Sequence, residues 1–333
     1  MRTSGTTGEA KRLLFTRRTH DRRTANWSWC SGLTWRSRYL LTLPLKTAGS
    51  FIHATASIQV GARVVLESRA SLIQALGDHG ITHVTLLPAW FRQVLRDLPA
   101  EFEKPADLFV ASFGAALPQP LKEEALARLA TDVVEFYGSN EVGFVSSTRS
   151  GGKPGFGTVW PGARVEIVDQ DDRVLPEGTQ GRIRVRTDAM VESYVDDPPG
   201  SARMFRNGWF YPGDTGRMAA RGQLQVIARE DDLMNIGGNK VSPIELEERI
   251  LRSLGVADVG VFTVQEPMGV EELWIVVVGW RDSDAELLER VTRALSNHTL
   301  GRFHVAKVPR VPRTSTGKIQ RHLLRQIATQ LVQ

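Results

Sequence analysis

Five short stretches of this 333-residue chain hold side chains suited to a phosphorylated ligand. Thr3-Ser4-Gly5-Thr6-Thr7-Gly8-Glu9-Ala10-Lys11 sets hydroxyls, glycines and a lysine close together. Glycines permit tight turns with inward-facing amides, hydroxyls donate hydrogen bonds and lysine adds charge, a combination that suits a polyphosphate. The spacing is not the Gly-x4-Gly-Lys-Ser/Thr loop, and taken alone such a stretch reads as a flexible loop. Tyr137-Gly138-Ser139-Asn140-Glu141 offers one carboxylate, enough to hold a Mg²⁺ shared with phosphates. Gly213-Asp214 follows the aromatic run Trp209-Phe210-Tyr211; a carboxylate at a glycine turn can accept both hydroxyls of a ribose, or simply cap the turn. Arg229-Glu230-Asp231-Asp232, ahead of Asn235-Ile236-Gly237-Gly238-Asn239-Lys240, reads as a charged hinge or an ordinary linker. Pro312-Arg313-Thr314-Ser315-Thr316-Gly317-Lys318 sets a lysine before the last helix, where it could neutralise charge on a transferred phosphoryl group or merely open a basic helix.

These residues need a scaffold. Apolar runs predict strands at Arg63 to Leu66, Ile81 to Leu87, Leu108 to Phe113 and Val133 to Tyr137, alternating with helices over Ser71 to Asp78 and Leu121 to Leu129. That rhythm implies βα units and a largely parallel sheet, with ligands at the carboxyl ends of the strands. Ser112 to Leu117 and Gly138 to Glu141 occupy such ends. A Gly/Pro-rich stretch from Gly151 to Gly162 then leads into antiparallel strands, Arg164 to Val168 and Arg182 to Arg186, with turns at Asp169 to Asp172 and Glu177-Gly178. After Asp231 the pattern is α+β: a helix opened by Ser242-Pro243 and running through Leu251, strands Val256 to Val264 and Leu273 to Trp280, a helix from Asp284 to Leu295, a strand Phe303 to Val308 and a closing helix Ile319 to Leu331.

Composition excludes several classes. A 41% hydrophobic and 24% charged chain is neither disordered nor fibrous. The single cysteine, Cys30, rules out an internal disulfide and a multi-cysteine zinc site, and points to a cytoplasmic setting. The longest apolar run, Leu273 to Trp280, is too short to span a bilayer. Residues 1–40 carry nine basic and two acidic side chains, whereas the remainder carries −2. Such an arm reads as a nucleic-acid contact, a transit peptide or a solvated basic face. No groove-reading motif accompanies it, so no nucleic-acid partner is expected.

In order and spacing, the series from Thr3 to about Arg325 resembles the AMP-forming acyl-CoA synthetases, or adenylate-forming enzymes. The resemblance implies a large α/β adenylation domain, βα-layered and truncated at its start, over residues 1–230, with a small mobile α+β domain over residues 231–333. It implies an acid–thiol ligase using ATP, Mg²⁺ and coenzyme A: a carboxylic acid attacks the α-phosphorus of ATP, and a thiol then displaces AMP. Alternatives are an adenylation protein loading a carrier-protein thiol, or a non-catalytic nucleotide-binding subunit. No Gly-Gly-x-Ser carrier motif occurs in the chain, so any carrier would be a separate protein. By the same resemblance Thr3, Ser4, Gly5, Thr6, Thr7, Gly8 and Lys11 cradle the outer phosphates. Gly114 and Ala115 face the adenine, Tyr137, Gly138, Ser139 and Asn140 the nucleotide, and Glu141 the metal. Asp214 and Arg229 hold the ribose, Asp231 is the hinge, Gly237 and Gly238 line the coenzyme A tunnel, and Lys318 stabilises the adenylation transition state.

The chain also departs from that pattern. Ala10 stands where proline is usual, Asn140 replaces threonine and Ala228 replaces glycine. Lys46-Thr47 occupies the segment that often gates the acyl pocket; the gating role is not carried over, and Lys46 is expected to face water. Trp90, Phe91, Phe113 and Phe144 are candidate acyl-pocket aromatics, or core. The family's long segment before the phosphate loop is absent. Exposed apolar surface at one sheet edge is therefore expected, and the readings are a truncated product, a late start, or a split enzyme completed by a second chain.

Overall fold

The computed structural model describes residues 11–67, 72–114, 116–149, 151–152, 155–230, 234–236, 239–265, 271–296, 303–313, 317 and 319–332. The chain divides into two compact units, Met1–Val226 and Ile227–Gln333.

The first unit opens with α1 (Arg17–Ser31), β1 (Arg38–Leu41), α2 (Ala48–Gln59), β2 (Arg63–Leu66), α3 (Leu72–Asp78), β3 (His83–Thr85), α4 (Pro88–Asp97), β4 (Phe109–Ser112), α5 (Gln119–Arg128) and β5 (Asp132–Ser139). The expected βα rhythm is present, and β1 to β5 pair in parallel in the order β2-β1-β3-β4-β5. Strand β3 is shorter than its apolar run suggested. Leu86 and Leu87 lie beyond it because Leu87 already precedes α4, whose first turn holds Pro88. One face of the parallel strands buries Leu40, Val84, Val110 and Val133 beneath α4 and α5. The other buries Tyr39, Leu41, Phe109 and Phe136 against Trp27 of α1 and Ile52 of α2. Both faces are covered, as parallel sheets require.

The antiparallel strands follow: β6 (Gly143–Thr148), β7 (Phe156–Val159), β8 (Ala163–Val168), β9 (Gly181–Thr187), the short helix α6 (Pro198–Met204), β10 (Phe205–Arg206), β11 (Trp209–Phe210), β12 (Asp214–Ala219) and β13 (Gln223–Arg229). They extend the same 13-stranded sheet beyond β5. The β8–β9 hairpin keeps an uninterrupted register from Ala163↔Thr187 to Val168↔Arg182. At the opposite end β2 is the outer strand, and Leu66 there is largely exposed; Trp29 and Ile58, on α1 and α2, and Trp35 are exposed as well.

The second unit contains β14 (Met234–Ile236), β15 (Asn239–Val241), α7 (Pro243–Leu254), β16 (Asp258–Gln265), β17 (Glu271–Val278), α8 (Asp284–Leu295), β18 (Phe303–Lys307) and α9 (Arg321–Val332). Strands β16, β17 and β18 form a sheet whose faces bury Val261, Ile275 and Leu287 on one side and Phe262, Trp274 and Leu324 on the other. The caps explain the helix limits. Ser242 and Ser283 accept from the amides of Glu245 and Glu286, and Gly255 ends α7 in the left-handed conformation at φ 64°. Among the described residues no helix is long and apolar enough to cross a membrane.

Candidate functional site

Lys11, the last residue of the glycine- and hydroxyl-rich stretch, is placed by strand-like pairing far along the chain. Leu13 forms an antiparallel bridge with Tyr194, the Val195 amide donates to the Arg12 carbonyl at 2.9 Å, and Arg12 pairs with Asp196. This brings the Lys11 ammonium 2.7 Å from Asp197 Oδ2 and 4.5 Å above the centre of the Tyr194 ring. Asp197 also N-caps α6 by accepting from the Gly200 amide at 2.8 Å. The hydrogen bond from Lys11, aided by that amide, holds the Asp197 carboxyl below its ordinary range.

Tyr194 makes a second contact through its hydroxyl. It donates to Glu141 Oε1 at 3.1 Å, so Lys11 meets the ring face and Glu141 the hydroxyl of one buried phenol. Burial first, and the nearby Glu141 charge second, push the Tyr194 hydroxyl upward, keeping it a neutral donor.

Glu141 lies in the tight connection after β5. The backbone there is fixed by Arg23 of α1, a buried guanidinium that donates to the carbonyls of Asn140 at 2.9 Å, Glu141 at 3.1 Å and Ala189 at 3.0 and 3.1 Å. Its burial lowers the Arg23 pKa to about 10. The Val191 amide also donates to the Glu141 carbonyl, at 2.8 Å, and the Glu141 amide donates to Ser139 Oγ at 3.3 Å. Gly138 is needed for close approach: a Cβ there would lie 2.1 Å from the Gly143 carbonyl oxygen, at the irregularity in the β5–β6 pairing. The cation is thus spent on main-chain carbonyls, and the carboxylate is met by a phenol. One carboxylate held in this manner fits a Mg²⁺ whose other ligands are phosphate oxygens and water. Among the described residues, no group of three or more His, Cys, Asp or Glu side chains could hold a metal without such help.

The ribose candidate connects to the same strand end. Tyr137 Oη donates to Asp214 Oδ2 at 2.6 Å, joining the carboxyl end of β5 to the start of β12. Gly213, at φ 74°, provides the turn that presents Asp214. Gly114, exposed at φ 92°, follows β4, the parallel neighbour of β5. Lys11, Gly114, Tyr137 to Glu141 and Asp214 therefore rest on connected parts of the first unit. Arg229 ends β13. Thr3 to Gly8, Ala115, Asp231, Gly237, Gly238 and Lys318 lie outside the described residues.

Three site residues escape a reading of the sequence: Tyr194, Asp197 and Arg23. Tyr194 and Asp197 sit in Val191-Glu192-Ser193-Tyr194-Val195-Asp196-Asp197, which has no periodicity, and their partners are remote in sequence. The solvated-face reading of the basic arm needs correction at Arg23. Arg17 is exposed on α1, but Arg23 is buried, with its guanidinium donating to three main-chain carbonyls. Trp90 and Phe91 pack into the core under α4, so they are core side chains; Phe113 and Phe144 are partly buried against the Trp27 cluster. Lys46 is exposed and Thr47 caps α2.

A doubly covered βα sheet continued by antiparallel strands, with phosphate, metal and ribose candidates at its strand ends, defines a nucleotide-handling α/β protein. The AMP-binding enzyme family matches residues 1–195, more than half of the chain, and the chain belongs to that family. It is 30% identical over 338 residues to the sulfoacetate–CoA ligase of Cupriavidus necator, an alignment covering 96% of this chain and 65% of that protein. It is 27% identical over 344 residues to the medium-chain fatty-acid–CoA ligase of Escherichia coli, covering 97% and 60%. Among solved structures, ATP-bound MatB from Rhodopseudomonas palustris superposes with a TM-score of 0.86 at 23% identity, covering 100% of this chain and 68% of that one. O-succinylbenzoate coenzyme A synthetase from Bacillus subtilis, with ATP and magnesium ion, gives 0.84 at 25%, covering 98% and 69%. The chain thus spans less than two thirds of the length of these curated relatives.

Proposed function

We propose that this chain activates a carboxylic acid with ATP, forming an acyl-adenylate and pyrophosphate, and then passes the acyl group to the thiol of coenzyme A. The observation that carries the reading is the junction at Tyr194, where Lys11 and Glu141 meet one phenol although 130 positions separate them. A cation and a metal-binding carboxylate held at a fixed separation suit a triphosphate that must be charge-neutralised and aligned for in-line attack. In this reading Lys11 and Thr3 to Gly8 hold the outer phosphates. Glu141 would hold Mg²⁺, which when bound neutralises phosphate charge. Asp214, oriented by Tyr137, accepts the ribose hydroxyls with Arg229 nearby in the family pattern, and Gly114 and Ala115 face the base. Residues 1–230 act as the adenylation domain and residues 231–333 as the mobile one, with Asp231 as hinge, Gly237 and Gly238 toward pantetheine, and Lys318 stabilising charge in the first half-reaction. A cytoplasmic setting belongs to the same proposal.

The test is carboxylate-dependent exchange of labelled pyrophosphate into ATP, screened over aliphatic, aryl and amino acids, followed by thioester formation with coenzyme A. Exchange with at least one acid and an acyl-CoA product are expected. Nucleotide binding without exchange for any acid would overturn the enzyme reading. Exchange without acyl-CoA would move the acceptor to a separate carrier protein.

A further inference from the structure

In the second unit, the Arg313 guanidinium is divided between two partners, Asp258 and Gly317. Arg313 Nε and Nη2 donate to the two oxygens of Asp258, at 3.1 and 2.7 Å, in a fork-to-carboxylate pair. Its remaining nitrogen, Nη1, donates to the Gly317 carbonyl at 2.8 Å. Asp258 is fixed in turn at the first residue of β16, where Oδ1 accepts from the Val259 amide at 3.0 Å. Arg313 and Ile319 form an antiparallel bridge, and the Gln320 amide donates to the Pro312 carbonyl at 2.9 Å. Below this base Val311 and Ile319 pack against Phe262 and Leu324. Gly317, buried and at φ 84°, is the residue immediately before Lys318.

The guanidinium therefore connects a sheet strand to the carbonyl adjoining Lys318. We propose that Asp258 and Arg313 are positioning residues for adenylation, holding the Gly317–Lys318 peptide so that the lysine ammonium meets the reacting phosphate in one geometry. The inference rests on the ligase reading above. A planar fork with three separate bonds can do this, whereas a lysine, a single point charge on a flexible stem, cannot hold both partners in fixed geometry. Loss of that order should lower the rate of the step that uses Lys318 without touching thiol transfer, which does not.

The experiment uses the full chain, Arg313→Lys, Asp258→Asn and Lys318→Ala, with an acid identified by the exchange screen. Pyrophosphate exchange is measured beside thioester formation from supplied acyl-adenylate, and backbone amide exchange is followed over residues 313–320. Both positioning variants should lose about tenfold or more in the exchange kcat with a smaller change in KM for ATP. Thioester formation should stay within about twofold, and amide exchange near 317–319 should quicken while α9 stays protected. Exchange at the wild-type rate in both variants overturns the inference. A parallel fall of both half-reactions also overturns it, because Asp258 and Arg313 would then only support the fold. Absence of exchange in the wild-type chain is a different result, and sinks the ligase reading instead.

Discussion

Two buried glutamates, one in each unit, share a setting and differ in what their carboxylates are given to. Glu247 of α7 accepts on Oε1 from the Arg321 guanidinium at 2.6 Å and from the Val261 amide at 3.0 Å. Arg321 Nε in turn donates to the Val261 carbonyl, at 2.9 Å, so the carboxylate and its cation brace α7, β16 and α9. Glu141 also has a buried arginine beside it, but Arg23 donates to its carbonyl rather than its carboxylate. The Glu141 side chain receives the neutral Tyr194 hydroxyl. A carboxylate given to a guanidinium is committed to structure. One that accepts from a neutral phenol is oriented by a bond that carries no opposite charge. The same pairing of residue types thus serves cohesion in one unit and, under the proposed function, binding in the other.

The sharpest way to break this contrast is Glu141→Gln. The amide can still accept from Tyr194, so unfolding should change little, while Mg²⁺-dependent pyrophosphate exchange should fall on the order of 10²–10³-fold, as for removal of one preorganised electrostatic group. Retention of exchange would place Glu141 with Glu247 as a structural residue. Arg23→Met acts on the main chain instead. The Asn140 and Ala189 carbonyls lose the guanidinium while the Glu141 carbonyl keeps the Val191 amide, and denaturant unfolding should report a loss of about 3 kcal/mol. A variant as stable as the parent would mean that Arg23 is not what secures the turn carrying Glu141.

Tyr194→Phe is the intermediate case. The ring under Lys11 remains, but the bond to Glu141 is lost, so the Mg²⁺ concentration needed for half-maximal exchange should rise roughly 10- to 100-fold, the usual effect of removing a partner that orients a metal ligand. Unchanged Mg²⁺ dependence with lowered stability would reassign the hydroxyl to packing.

How much of this was legible in the residues depends on how local each feature is. The helix over Asp284 to Leu295 matches the sequence reading, because Ser283 caps it and its apolar positions recur at helical spacing. The strand ending in Ser139 and the β8–β9 hairpin were likewise written in apolar runs and turn residues. Helix α1 was not. Its buried positions Thr19, Arg23, Thr24, Trp27, Cys30 and Ser31 follow helical spacing, yet four of the six are polar types that an apolar count passes over. Trp27 stacks on His53 with ring centres 3.6 Å apart, and the Tyr39 hydroxyl lies 2.8 Å from His53 Nδ1, so this part of the core is built from polar-tipped rings. Burial lowers His53 to about 3. In the site, Tyr137 to Glu141 and Asp214 were named from motif order, whereas the Tyr194 link needs Leu13 to pair across 181 positions, a contact no local pattern encodes.

Glu247→Gln should have the smallest effect, and its value lies in its sign. Burial raises the Glu247 pKa to about 7 from an ordinary 4.5, and the attraction of Arg321 opposes that rise without cancelling it. Below the unfolded value both states carry the proton, so the group contributes no pH dependence there. Between the two values the folded chain binds more protons than the unfolded one, and stability must fall as pH rises through that window. Glutamine cannot titrate. The difference in denaturant midpoint, variant minus wild type, should therefore climb between pH 4.5 and 7 and level off above, other groups cancelling in the subtraction. A difference that instead declines with pH would show that Arg321 outweighs burial. Glu247 would then be an ordinary stabilising ion pair, and Glu141 would differ from it only in its partner, not in its cost.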